Sequence, residues 1–495
     1  MSSRPIGDVI TVIDLASRNA QDDFFFPINS NNSWFHRSSQ TIYPANAASQ
    51  EFAHKGTAAW GGRLTFELGA LTAGDLLQCA TLQIRLGHWY SDAILSQLAT
   101  ATITVDPSSE PWTYINSLGT SIIEYAEFEV GDQTLERIDG QFIKLYSSLL
   151  PDMNMLFGLS TDAAGITSLA NVAANLATMN PNRAFPTQDG VYFCLLPFFF
   201  MRTRAAEVFP LVASAEGSVR IHVQLRPFAD CVRSITGQRA SCTDTPLNKT
   251  VTFIDRQTDV SFNFVTAAYE PPFQDFRVLT YTGLISGDQR SAYIHKPFEQ
   301  MCRFAAAFHF DEPYKYLTSK TNSQSDTIEV SLPLELNHPC QEIIWVFRRK
   351  AVQINNEWNN FTPIVSTQVD PIAVPIPWLV YATLRVNGQV VQQADGEWWR
   401  QEIAKVHRGG WSAYAAYTYG FSFALRPEEH QPTGSVNMSR ASSVRLDLRV
   451  KVPQAVAVPP GFDEDVGQGW EVFVYAVHLN WLRFENGICQ KLFDS

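Results

Sequence analysis

Along most of this chain apolar and polar residues alternate over short stretches, the two-residue period of strands with one covered face. Residues 64–68, 82–86, 122–130 and 219–225 read this way, and 191–200 is a more evenly apolar run. A polar connection follows from 228 to about 249, with Asp244, Thr245 and Pro246 inside it. Strands resume at 251–253, 260–264, 277–281, 328–332, 342–347, 378–386, 419–425, 444–452 and 472–484, while 311–325 and 453–469 read as surface loops. About eight strands per half, joined by turns and not by helices, predict antiparallel sandwiches, and eight strands in two layers make a jelly roll.

The chain also repeats itself. Ser218-Val219-Arg220-Ile221-His222-Val223-Gln224-Leu225 matches Ser443-Val444-Arg445-Leu446-Asp447-Leu448-Arg449-Val450, and each copy follows a phenylalanine-rich run ending in arginine, at Arg202 and Arg426. Glu129-Val130-Gly131-Asp132-Gln133 resembles Arg385-Val386-Asn387-Gly388-Gln389; both read as a strand entering a tight turn, since these turn residues tolerate positive φ. Between the anchors the first half is longer, 130 to 219 against 386 to 444. The alanine-rich stretch 161–180 accounts for the excess: Ile166, Leu169, Val172, Ala173 and Leu176 fall at helical spacing, and Ser160, Thr161 or Asp162 could cap it. The expected layout is all-β: an N-terminal arm (1–45), a first jelly roll (46–235) carrying the inserted helix, a linker (236–249) and a second jelly roll (250–495), two tandem eight-stranded antiparallel sandwiches.

Composition agrees. The 495 residues exceed one ordinary core, 45% are hydrophobic, and 27 prolines with 27 glycines suit many turns. The net charge of −12 disfavours sequence-independent binding to nucleic acid. The one basic cluster, Arg348-Arg349-Lys350, follows the apolar run 343–347 and reads as a strand end in solvent. The longest apolar stretch, 191–201, is about half a membrane span and contains Pro197. Met1-Ser2-Ser3-Arg4-Pro5 lacks the apolar core of a secretory signal. Seven scattered cysteines without a C-x-x-C pair therefore read as free, mostly buried thiols in a reducing compartment.

Candidate chemistry is sparse. Phosphate-loop, dinucleotide, nucleophile-elbow and zinc-protease motifs are absent. His222 lies on a polar strand face, and His54, His88 and His309 stand singly. Glu428-Glu429-His430 reads as a solvated turn, and Asp463-Glu464-Asp465 lacks the ligand order of a calcium loop. Glu127 and Glu129 share a strand face, where a glycosidase would place one of its acids, yet nothing locates a second. No catalytic, cofactor or metal residue is expected. Sequons occur at Asn31, Asn248, Asn360 and Asn437 as glycosylation candidates.

The stretch from Tyr419 to Arg440, Y-G-F-S-F-A-L-R-P-E-E-H-Q-P-T-G-S-V-N-M-S-R, resembles the pattern L-x-P-E-E-H-Q-P-[ST]-G-x-x-N-[FM]-S-R of the double jelly-roll major capsid proteins of nucleocytoplasmic large DNA viruses. Leu196-Pro197-Phe198-Phe199-Phe200 with Phe209-Pro210-Leu211, Gly74-Asp75-Leu76-Leu77, the pair of segments at 116–119 and 127–131, and Asn480-Trp481-Leu482-Arg483-Phe484-Glu485-Asn486-Gly487 are similar to further family signatures, in order from about 64 to 494. The N-terminal segment and Glu207-Val208 depart from the family pattern. The resemblance implies a structural subunit without enzymatic activity. It implies homotrimers of pseudo-hexagonal outline, contacts with neighbouring capsomers and with minor capsid and penton proteins, and an internal viral membrane nearby that the chain does not enter. It also implies late expression, assembly in the host cytoplasm and residence in the outer shell of the virion. The rival reading is a jelly-roll carbohydrate-binding or carbohydrate-active protein.

Overall fold

The computed structural model describes residues 45–69, 73–86, 103–105, 112–115, 118–149, 190–202, 208–214, 216–234, 250–255, 257–258, 261–265, 273–319, 327–363, 378–407, 417–429, 432–452, 455–458 and 461–493. The expected arm up to residue 44, the inserted helix at 161–180 and the linker at 236–249 fall outside them.

Two hairpins set the pattern. Gly131 and Asp132 (φ 53° and 60°), and Asn387 and Gly388 (φ 52° and 77°), are consecutive left-handed residues, the turn whose twist matches paired strands. They join β4 (Ile123–Val130) to β5 (Gln133–Asp139) and β12 (Leu379–Val386) to β13 (Gln389–Asp395). The other strands of the first set are β1 (Ala45–Ala53), β2 (Arg63–Leu68), β3 (Leu76–Leu86), β6 (Gly190–Leu195), β7 (Val219–Leu225) and β8 (Phe273–Ile285). Those of the second are β9 (Phe298–Phe310), β10 (Thr327–Leu334), β11 (Pro339–Arg349), β14 (Tyr419–Ser422), β15 (Val444–Lys451) and β16 (Trp470–Glu485).

The sheet orders are the same twice over. β1-β8-β3-β6 faces β2-β7-β4-β5 in the first set; β9-β16-β11-β14 and β10-β15-β12-β13 repeat them strand for strand. Even irregularities recur: the register slips past Gln78 where β3 meets β8, and past Gln341 where β11 meets β16. Each set is thus an eight-stranded jelly roll, and the chain is a double jelly roll.

The chain departs from its sequence reading in places. Thr250–Asp255 pairs with Ile103–Val105, and β8 lies between β1 and β3, so Thr250–Asp255 and Phe273–Ile285 hydrogen-bond with strands of the first half although the sequence assigned them to the second. The reason is topological: the eighth strand of a jelly roll completes the sheet that the first strand began, after a long connection. The strand expected at 191–200 stops at Leu195, and Phe199–Met201 form a 3-10 turn. Phe198, Phe199 and Phe200 all meet the Phe128 ring at 5.3–5.6 Å, which strand alternation would prevent. The strand expected at 419–425 stops at Ser422, whose hydroxyl donates to the Ala424 carbonyl and turns the chain. Among the described residues the longer helices are α1 (Gly140–Leu149), α2 (Gly287–His295) and α3 (Gly396–Val406), while Leu118–Ser121 and Val352–Asn355 form single turns.

Candidate functional site at the junction of the two sandwiches

β11 is buried along almost its whole length, and β16 from Trp470 to His478, without alternation. A strand reads this way when both sheet faces are covered. One face supplies Ile343, Trp345, Phe347, Val472, Val474 and Ala476 to the core of the second sandwich. The other turns Ile344, Val346, Phe473, Tyr475 and Val477 into a core shared with the first sandwich. This junction fixes one jelly roll against the other, and it carries a buried polar network.

The first sandwich meets it with β5, α1 and the phenylalanine turn. Phe142 of α1 packs on Tyr475 at 5.0 Å, Phe199 on Phe304 at 4.8 Å and Phe209 on Phe484 at 5.8 Å. The Tyr475 hydroxyl donates to Asp139, which also caps α1 through the Phe142 N–H at 2.6 Å. Burial pushes the Tyr475 phenol well up, and the Asp139 carboxylate adds to it. At the centre, Glu136 accepts from Arg202 (2.6 Å), from the Phe199 N–H (2.8 Å) and from the Ala305 N–H across the junction (3.0 Å). Arg202 also donates to the carbonyls of Arg303 and Pro197. A buried ion pair persists when most of its remaining hydrogen-bonding capacity is met; here backbone groups of both sandwiches take up Glu136 and the terminal nitrogens of Arg202, while the Arg202 Nε has no partner. At the far side, Asn356, Trp358 and Asn359 donate to Ala229, Asp230 and Ser121, tying the second sandwich to turns of the first.

Next to this lies a second buried cluster. His407, at the end of α3, is fully buried between Glu342 of β11 (2.6 Å) and Glu428 (3.1 Å). Burial alone would lower its pKa; the two carboxylates outweigh it, and the pKa rises to about 10. The imidazole is therefore a cation at neutral pH. Arg303 donates to Gln341 and to the Glu429 carbonyl, holding the same loop.

These placements correct several sequence expectations. Glu428 is buried and bound to His407, because a buried cation draws the acid out of its turn; Glu429 stays exposed on Arg426, and His430 lies outside the described residues. Arg348 and Arg349 are buried and not solvated, because segments of the same half of the chain fold over that strand end: Arg348 binds Glu471, and Arg349 binds the carbonyls of Gly467 and Pro363. Lys350 pairs with Asp465. His309 pairs with Glu471, His54 meets the Phe276 carbonyl, and His222 is held by Thr65 and Glu129; His88 lies outside the described residues. Glu127 and Glu129 are neutralised by Arg63 and Arg220. No group of three or more metal-ligating side chains occurs among the described residues, and no helix there is long and apolar enough to cross a membrane.

Of the sequons, Asn360 is 6% exposed and accepts from Thr362, whereas Asn437 is exposed; Asn31 and Asn248 lie outside the described residues. Sequence reasoning missed Glu136, Asp139, Arg202 and His407. A signal existed for part of this: Asp139-Gly140 and Asp395-Gly396 each follow a hairpin turn by the same interval, and each aspartate caps the next helix.

Two family models match the chain. One described as large eukaryotic DNA virus major capsid protein matches residues 312–489, and one described as major capsid protein N-terminus matches 39–265. The chain is 22% identical over 408 residues to the major capsid protein of Pyramimonas orientalis virus, covering 78% of this chain and 80% of the relative. It is 21% identical over 463 residues to that of Phaeocystis pouchetii virus, covering 75% and 80%. Among solved structures it is similar to PBCV-1 VP54 fitted into a reconstruction of the virophage Sputnik (TM-score 0.64, 15% identity, 94% of this chain and 100% of that one). It is also similar to the Faustovirus major capsid protein (TM-score 0.58, 12% identity, 97% of each).

Proposed function

The chain belongs to the major capsid proteins of large eukaryotic DNA viruses, and from that premise we propose that three copies close into one capsomer of pseudo-hexagonal outline. It is a structural component of the virion and not an enzyme. Its role is to fill area on the shell beside neighbouring capsomers.

One observation carries the trimer reading: the sandwich is repeated strand for strand and the two copies are locked by a buried junction. Six similar lobes in a closed ring then need only three chains. A closed ring of this kind uses one heterologous contact repeatedly. Contacts with minor capsid and penton proteins, proximity to an internal viral membrane, assembly in the host cytoplasm and late expression belong to the same reading. So does the choice of Asn437 over Asn360 as a site for sugar, on exposure alone.

Light scattering on the purified protein tests the reading. A species of three chain masses supports it; a monomer across the accessible concentration range overturns it.

A further inference from the structure

Two buried histidines, His407 and His478, lie in surroundings of opposite sign. His407 has two carboxylates and is already a cation. His478 of β16, 8% exposed, faces cations instead. Its ring stacks on that of His338 at 5.1 Å with 23° between the planes, and Phe304 of β9 lies 6.4 Å away. Lys491, on the short C-terminal strand Ile488–Lys491, holds its ammonium 4.4 Å over the same Phe304 ring. Arg202 acts on His478 from the phenylalanine turn, its own carboxylate being Glu136. β11 pairs Cys340 with His478, and burial keeps that thiol protonated. Burial first, then His338, Lys491 and Arg202, push the His478 pKa down to about 4, against the Ala476 carbonyl.

His338 ties this pocket to a turn at the surface. It stands in the left-handed region (φ 64°) between β10 and β11. Its N–H donates to the Ser439 hydroxyl at 2.8 Å, and its carbonyl accepts from the Met438 N–H at 3.0 Å. Pro339 and Cys340 then pair with Asn437 and Val436. Met438 and Cys340 enter the same core, that of the second sandwich. The His338 ring, its backbone and residues 436–440 therefore form one unit, seated on His478 and Cys340.

We propose that this unit is an acid-operated latch: a proton on His478 sets a new charge against Lys491 and Arg202, the His338 ring leaves it, and the turn 436–440 opens while the junction between the sandwiches stays closed. A histidine whose folded pKa is depressed favours the closed form fully above its ordinary 6.5, and that contribution drains away as pH falls from 6.5 towards about 4. Opening restores the ordinary value, so the open fraction grows about tenfold per pH unit across this window. His407 adds no charge over the same range, being cationic throughout. The latch lies within one chain and needs no partner copy.

Cys340 reports the opening. Dithiodipyridine, a disulfide that still reacts with thiols in acid, is applied to the full chain from about pH 7 to about pH 4.5, each rate being taken relative to the denatured chain at the same pH. The relative rate at Cys340 is expected to rise roughly 60-fold across that range. Cys194 and Cys231, in the core that includes the first sandwich, are expected to stay protected. His478→Gln should abolish the rise. His338→Asn, which suits the left-handed turn and keeps both backbone hydrogen bonds, should reduce it. Cys340 staying protected in acid, opening together with Cys194 and Cys231, or responding equally in His478→Gln overturns the latch. Where His478→Gln does not fold, an unchanged rise in His338→Asn overturns it.

Discussion

Glu136 shows how a single side chain joins two folding units. Its oxygens take the Arg202 guanidinium, one N–H from its own sandwich and one from the other, with both charged side chains almost fully buried. Glu136→Ala leaves a buried guanidinium unpaired, and a loss of about 3–5 kcal/mol in denaturant unfolding is expected. His407 acts through charge. Unfolded, its imidazole titrates near the ordinary 6.5; folded, near 10. A raised folded pKa stabilises fully below the unfolded value, and that contribution drains away as pH climbs from about 6.5 to 10. The melting temperature of the wild type should therefore fall more steeply over that range than that of His407→Gln, and parallel curves would contradict the cationic assignment. The thiols follow burial: Cys194, Cys340 and Cys489 are pushed up to about 12, so they should resist alkylation in the native protein and react once it is unfolded.

Each sandwich places a helix directly after its fifth strand, and a glycine makes the join possible. A Cβ on Gly396 would stand 2.0 Å from the Leu379 carbonyl oxygen, and one on Gly140 2.3 Å from that of Ile123. Each helix therefore starts against the first residue of the preceding hairpin. Gly396→Ala should cost about 1–3 kcal/mol by forcing the backbone apart, and Gly140→Ala the same, measured by chemical denaturation. Gly287→Ala in α2, where a Cβ meets nothing within 4 Å, serves as the near-neutral comparison. The helices escaped the sequence reading because α1 and α3 are only about three turns long and follow strands without a break. The aspartate–glycine pair that starts both was legible, and comparing the two repeats would have exposed it.

At the scale of the whole molecule, the second sandwich does not close its own surface. Ile344, Val346, Phe473, Tyr475 and Val477 belong to a core completed by residues of the first, Phe142 and Phe199 among them. A fragment beginning at β9 should therefore aggregate or bind a hydrophobic dye such as ANS, while the full chain does neither; a soluble, dye-negative fragment would show that the junction is dispensable. The same surface explains the loss of alternation in β11 and β16. Their unbroken apolar runs at 343–347 and 472–477 are the sequence trace of a sheet covered on both sides.

Strand positions, the two left-handed turns and the duplication follow from local chemistry, because alternation and positive-φ residues act over a few neighbours. Val219–Leu225 and both hairpins stand where the pattern put them. What the tertiary structure alone decided is which polar groups are buried. Arg348, Glu428 and His407 sit in segments whose local pattern is that of solvent-facing residues, and only the approach of chain from elsewhere in the fold removes them from water. The allegiance of Phe273–Ile285 was decided in the same way, since a strand's partners are set by sheet closure between residues more than 200 apart, as in the pairing of Ala45 with Ile285, and not by its neighbours along the chain.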